Sequence, residues 1–210
     1  NLEPKLIWRK NFQHSINYLL TVNNQLWAGT TSGLIQFDNS RTHKNPRFMR
    51  IMTYNSSKKN GLNKNAITDL FKDKTGIVWV GTNGGGINKF DPQRKQFQHI
   101  KNTSKPGSLG YNKIRSIYED SNGYLWVGTE GGSLNMLPKQ KDENNYLGFV
   151  KFPKINNVFT IQEIQRDGKK ILLAGKSNNS SNIQQLDITD PNNIKKVKFD
   201  DYNIYKGSIF

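Results

Sequence analysis

The 210-residue sequence contains no cysteine, only three alanines and no long apolar run. Without cysteine there is no disulfide scaffold, no thiolate metal site and no cysteine nucleophile, although the compartment stays open. No stretch nears the ~18 apolar residues that would mark a membrane-spanning helix. No basic-then-apolar leader opens the chain, and a mature or trimmed protein would read the same way. The shortage of alanine beside 27 asparagines and 18 glycines argues against helices and for turns. Acidic residues are also few, 16 Asp+Glu against 31 Lys+Arg, a formal net charge of +15.

That charge is unevenly placed. Residues 1–54 carry a net +5, residues 55–115 a net +9 and residues 116–210 only +1. A one-sided basic field attracts an anionic partner, whether nucleic acid, anionic lipid or acidic saccharide.

Aligning the chain with itself shows what organises it. Residues 67–91 read ITDLFKDKTGIVWVGTNGGGINKFD, and residues 114–138 read IRSIYEDSNGYLWVGTEGGSLNMLP, the same pattern 47 positions on. An earlier copy at 16–38 is shortened at its turns, and a degenerate one at 161–187 has Leu173 where the others have Trp27, Trp79 and Trp126. Within each copy an alternating strand (67–73, 114–120) leads through an Asp-x-x-Gly hairpin turn to a second strand carrying the Trp. A Gly-rich turn and a third strand follow. A fourth strand is expected at 48–54, 96–100, 148–152 and 196–200. Four antiparallel strands per repeat make a β-propeller blade, so the fold class is all-β with about four blades, repeats lying near 16–54, 67–100, 114–152 and 161–200 of a single 1–210 segment.

In a propeller the fourth-to-first-strand connections and the second-to-third-strand turns share one end, the mouth of the central channel. This places Lys58, Lys59, Lys64, Lys101, Lys105, Lys113 and Arg115 on one face, with the basic excess there rather than around the rim.

The motif Leu-Trp-Val-Gly-Thr-x-Gly-Gly-x-Leu/Ile-Asn resembles the two-component regulator propeller repeat. Ser108, Leu109, Asn112, Ile114, Glu119, Asp120, Gly123, Leu125–Thr129, Gly131, Gly132, Leu134 and Asn135 follow its consensus almost throughout. Leu62, Asn65, Ile67, Asp73, Gly76, 79–82, 84–86 and Asn88 follow it nearly as well, and the outer copies match at their strand cores. The resemblance implies the periplasmic sensor region of a membrane-bound hybrid histidine kinase/response regulator from Gram-negative gut bacteria, detecting oligosaccharides released from complex glycans. It also implies a seven-bladed propeller, with further blades, an immunoglobulin-like domain, a membrane helix and a kinase in the same protein, and a homodimer in the intact receptor. Four copies are fewer than that blade count, so the chain is a fragment of a longer sensor, or takes its remaining blades from another chain, or closes with fewer; the fragment is the favoured expectation.

Most repeated residues read as structural. The Gly-rich turn lacks the Lys-Ser/Thr ending and helix of a phosphate loop. The three repeated tryptophans fit blade-to-blade packing better than sugar stacking, and Asn65 and Asn112 fit side-chain-to-backbone bonds that shape a turn. Ligand contact is expected where copies differ at the mouth, at Lys64, Asn83, Tyr111, Lys113, Arg115 and Glu130. Tyr111 would stack on a sugar ring, and Arg115 would clamp a carboxylate or sulfate through paired hydrogen bonds. Scattered His14, His43 and His99 propose no metal site, no Gly-x-Ser-x-Gly elbow occurs, and neither catalysis nor a cofactor is expected of this segment. The leading expectation is a sensor binding an oligosaccharide, with the basic mouth favouring an acidic one. The alternative is a non-catalytic scaffold for protein–protein contact or self-association, which solution mass at two concentrations would separate. Nucleic-acid binding has only the net charge in its favour.

Overall fold

The computed structural model describes residues 14–38, 47–58, 60–93, 96–139, 148–177 and 182–197. These form sixteen strands in four four-stranded antiparallel sheets, with no helix among the described residues. Blade one is β1 (Ile16–Val22), β2 (Gln25–Thr30), β3 (Gly33–Asp38) and β4 (Arg47–Met52). Blade two is β5 (Ile67–Lys72), β6 (Val78–Thr82), β7 (Gly86–Asp91) and β8 (Gln96–Ile100). Blade three is β9 (Ile114–Glu119), β10 (Leu125–Thr129), β11 (Ser133–Leu137) and β12 (Val150–Asn156). Blade four is β13 (Val158–Arg166), β14 (Lys169–Lys176), β15 (Ile183–Asp187) and β16 (Lys195–Val197). First strands β1, β5, β9 and β13 lie side by side in that order, so the blades form an arc around an inner row of first strands. The architecture is the expected β-propeller, present in this chain as part of one.

Each repeated residue has a mechanical cause. Asp120 stands at the hairpin between β9 and β10, where its Oδ1 accepts the amides of Asn122 and Tyr124. Its Oδ2 accepts the indole N–H of Trp126 at 2.8 Å. Asp73 does the same for Thr75, Ile77 and Trp79, the last at 2.7 Å. One carboxylate thus closes the turn and fixes the ring. Trp27, Trp79 and Trp126 are all buried, each against the next blade. Trp27 meets Phe90 edge-on at 5.2 Å. The threonine that ends each second strand closes the following turn: Thr30, Thr82 and Thr129 each donate to a third-strand carbonyl at 2.8 Å.

The Gly before that threonine is required by close approach. A Cβ on Gly81 would lie 2.8 Å from Ile114 Cγ2, and one on Gly128 would lie 2.6 Å from the carbonyl oxygen of Val158. For Gly81 the obstacle is the start of the next blade's first strand, and for Gly128 it is that element together with Ser116 Oγ of its own blade.

The connections between blades do more than turn at the mouth. Leu62 and Leu109 are plugs buried between blades one and two and between blades two and three. Asn88 and Asn135, the last residues of the Gly-Gly-x-Ile/Leu-Asn motif, accept the amides of Asn63 and Gly110 and so hold the plugs in place. Asn65 and Asn112 accept the amides of Tyr54 and Asn102, the side-chain-to-backbone bonds expected of them.

The tips of these connections descend the outer edge of the following blade. The carbonyl of Asn60 accepts the amide of Phe97, and that of Gly107 accepts the amides of Gly148 and Phe149. Phe97 pairs with Phe90, far from the Ile87–Ile100 pair at the mouth end. Lys58 and Lys105, beside these tips, therefore stand on the rim, correcting their expected place at the mouth. The cause is the unpaired edge of the outermost strand, whose amides need acceptors. Lys59 lies outside the described residues.

The third and fourth blades also meet differently from expectation. β12 runs to Asn156 and β13 begins at Val158, so the fourth repeat starts earlier than 161. Asn157 alone joins them, with a φ of 51°. Of the expected 196–200 strand, residues 198–200 lie outside the described residues.

Gly128→Ala is expected to cost about 1–3 kcal/mol through overpacking, since even with Ser116 turned aside the backbone oxygen of Val158 has no rotamer to yield. Urea unfolding of wild type and variant checks this, and equal midpoints would contradict it.

Candidate functional site

The register puts the starts of the first strands and the ends of the second strands at one end, since Ile67 pairs with Thr82 and Ile114 with Thr129. The β6–β7 and β10–β11 turns and the last residues of the connections meet there. This mouth end holds all six expected site residues.

Three of them form one group. Glu130 Oε1 accepts Lys113 Nζ at 2.5 Å, and Glu130 Oε2 pairs with the guanidinium of Arg115. Backbone places them: the amide of Glu130 donates to the carbonyl of Lys113 at 2.9 Å. The hydrogen bond from Lys113, then that from Arg115, hold the Glu130 carboxyl below its ordinary value. The Arg115 guanidinium also lies over the Phe159 ring, 4.9 Å from its centroid. Arg115 therefore already has two partners, where the sequence reading leaves it open for an incoming anion.

Asn83 adjoins this group through a β-bridge with Lys113, while its amide donates to the carbonyl of Ala66. Tyr111 is exposed and lies across Gly131 and Gly132, the turn that follows Glu130. A Cβ on Gly132 would meet Tyr111 Cβ at 2.5 Å, so the glycines make room for the ring. Lys64 occupies the same place one blade earlier, its Cγ 2.7 Å from where a Cβ on Gly85 would stand. Lys113, Arg115, Glu130, Asn83 and Tyr111 thus gather around the junction of blades two, three and four, and Lys64 stands one blade away.

Two residues of consequence escape the sequence reading. Phe159 sits in the degenerate fourth copy, where no motif marks it; only the alignment of Val158 with Ile114 places it opposite Arg115. Asp69 hides inside an alternating strand. Its carboxylate is buried in the inner row, accepting the amides of Leu70 at 2.8 Å and of Ile117, in the next blade, at 2.5 Å. Burial pushes Asp69 up to about 6, with the two amides pulling it back by less. Tyr18 of blade one faces the same carboxylate, and burial followed by the charge of Asp69 raises its phenol.

At the opposite end a second repeated contact joins blades. The amide of Lys74 donates to Glu119, and that of Ser121 donates to Glu163. These carboxylates border an open groove of about 380 Å³ with Tyr118 and Ile164. Among the described residues no group of three or more potential metal ligands occurs.

With this geometry in hand, the two-component regulator propeller family matches at residues 61–84 and 108–131, one stretch for each of the two best-preserved copies. Each matched stretch runs from a connection through the first and second strands of blade two or blade three. Among curated proteins no relative matches the chain. The extracellular domain of a protein assigned to the hybrid two-component systems of B. thetaiotaomicron superposes with a TM-score of 0.69 at 22% identity, over 93% of this chain and 27% of that one. A second such domain, of a protein assigned as a one-component system from the same organism, gives 0.62 at 21% identity over 93% and 24%. A protein assigned as a 6-phosphogluconolactonase from Bacteroides uniformis gives 0.61 at 15% identity over 87% and 53%. The chain spans about a quarter of the two extracellular domains, and these likenesses show a shared propeller fold.

The Asp69 carboxyl ties proton binding to stability. Below pH 3.8 it is neutral folded and unfolded, and above about 6 it is charged in both. Between these values the unfolded chain releases the proton first, so stability falls as pH rises, by about 2–3 kcal/mol in all for a shift of this size. The loss of stability between pH 4 and pH 7 is therefore expected to be larger by that amount in wild type than in Asp69→Asn. Urea titrations at both pH values measure the difference, and parallel pH profiles would contradict the assignment.

Proposed function

We propose that this chain is part of the extracytoplasmic, periplasmic sensor of a two-component signalling protein, binding an oligosaccharide at the propeller mouth and controlling a histidine kinase carried elsewhere in the same protein. The observation that carries the reading is where the copies differ. The consensus side chains described above all serve turns, plugs or blade packing. The residues that break the pattern (Lys113, Arg115, Glu130, Tyr111 and Phe159) collect at one junction and combine charge with exposed aromatic surface. Charged forks and aromatic faces are what a saccharide with carboxylate or sulfate groups requires. The repeats and the shared fold of the extracellular domains support the sensor part of the reading. The segment itself acts as a binding module without catalysis, cofactor or nucleic-acid partner, and the intact receptor works as a homodimer.

A scaffold role is the second reading. It is favoured by the outermost strand of blade one, where Phe48, Met49 and Ile51 are all exposed on an edge.

Calorimetric titration with panels of acidic and neutral oligosaccharides at two salt concentrations tests the leading reading. Tighter binding of acidic members, weakening with salt, is expected. Tighter binding of neutral members without salt dependence would overturn the acidic preference, and no binding at all would overturn the sensor reading.

A further inference from the structure

The Lys113–Glu130–Arg115 group holds a charge arrangement that the other blades lack. In blade two the equivalent positions are Ala66, Asn83 and Thr68, so neither the cations nor the carboxylate belongs to the repeat. Each oxygen of Glu130 takes one cation, Oε1 from Lys113 and Oε2 from Arg115. The two cations therefore converge on a space the size of one oxyanion. Arg115 is anchored independently of the Glu130 side chain by the ring of Phe159, and the backbone of Lys113 is held by its bridge to Asn83. The Lys113, Arg115 and Glu130 side chains are 31%, 30% and 30% exposed, so a solute reaches them.

We propose that Glu130 is an internal occupant of an anion subsite formed by Lys113 and Arg115, and that the carboxylate or sulfate of a ligand binds there by taking its place. The exchange leaves the charge balance at the cations unchanged: one oxyanion leaves and another arrives, with the same donors satisfied. An exposed ion pair contributes little, so its loss is a small barrier to the exchange. Arg115, already planar and stacked, presents its fork without further ordering. Phe159, partly exposed beside the guanidinium, supplies an apolar face for the sugar ring that carries the anion. Glu130 then sets specificity: it excludes ligands that cannot offer a competing oxyanion from the two cations. The proposal rests on the reading of the mouth as the oligosaccharide site and names the chemistry of one part of it.

The test uses the full chain, a sulfated galactan tetrasaccharide and its desulfated counterpart. Glu130→Gln is expected to bind the sulfated probe about two- to fivefold more tightly than wild type, the scale set by one exposed ion pair, with the desulfated probe unchanged. Glu130→Ala serves as a second variant and is expected to show the same gain. In wild type, the Arg115 Nε–H resonance is expected to shift on adding the sulfated probe. Equal or weaker binding of the sulfated probe by both variants, or an Arg115 resonance that does not move, overturns the proposal. If the desulfated probe binds while the sulfated one gains nothing from the variants, the anion subsite fails and the mouth reading survives. If neither probe binds any form, both fail.

Discussion

The Asp120 carboxylate uses one oxygen to close a hairpin and the other to hold the indole N–H of Trp126, and Asp73 does the same for Trp79. The indole is too large to sit between sheets in any orientation but one, and its single donor needs a buried acceptor. With the ring fixed, the face of one blade acquires the shape that receives the first strand of the next. Gly81 and Gly128 then let that strand approach to contact distance. The positions of Ile114 and Val158 follow, and with them the starts of β9 and β13, where Lys113, Arg115 and Phe159 stand. The outer two blades lack the Asp–Trp clamp. In blade one Gln25 Oε1, not an Asp carboxylate, accepts the Trp27 indole N–H, and blade four has Leu173 in place of the ring.

The blades were legible in the sequence because each repeated residue meets the same local demand every time. Trp, Gly, Thr and Asp recur at fixed spacing since a turn, a close contact and a buried donor recur with them. The descent of the connections was not legible. Whether Lys58 and Lys105 stand at the mouth or on the rim depends on the edge amides of β8 and of the two residues leading into β12, which are partners distant in sequence. Nor was the one-residue join at Asn157, because the fourth copy had lost the motif that marks a strand start. The site was half legible. The departures from the repeat did gather at one place, but their mutual pairing needed Glu130 and Phe159 to be seen next to Arg115.

The net charge of +15 also takes on a different meaning. Part of the basic excess is on the rim, and two of the mouth cations already share a carboxylate. What remains at the mouth is a smaller positive field around an occupied cradle, together with the exposed faces of Tyr111 and Phe159. Such a site discriminates by which oxyanion competes best, and not by bulk attraction. Electrostatics of this kind give specificity more than affinity.

If the Asp–Trp clamp is what the blades depend on, Asp120→Ala examines it most directly, through urea unfolding together with hydrogen exchange at the Trp126 indole. The variant leaves a buried indole donor and two turn amides without their acceptor. A loss of about 2–3 kcal/mol and a Trp126 indole proton that exchanges faster than in wild type are the predicted results. A loss below about 0.5 kcal/mol, the scale of an ordinary surface substitution, with indole exchange unchanged would contradict the account.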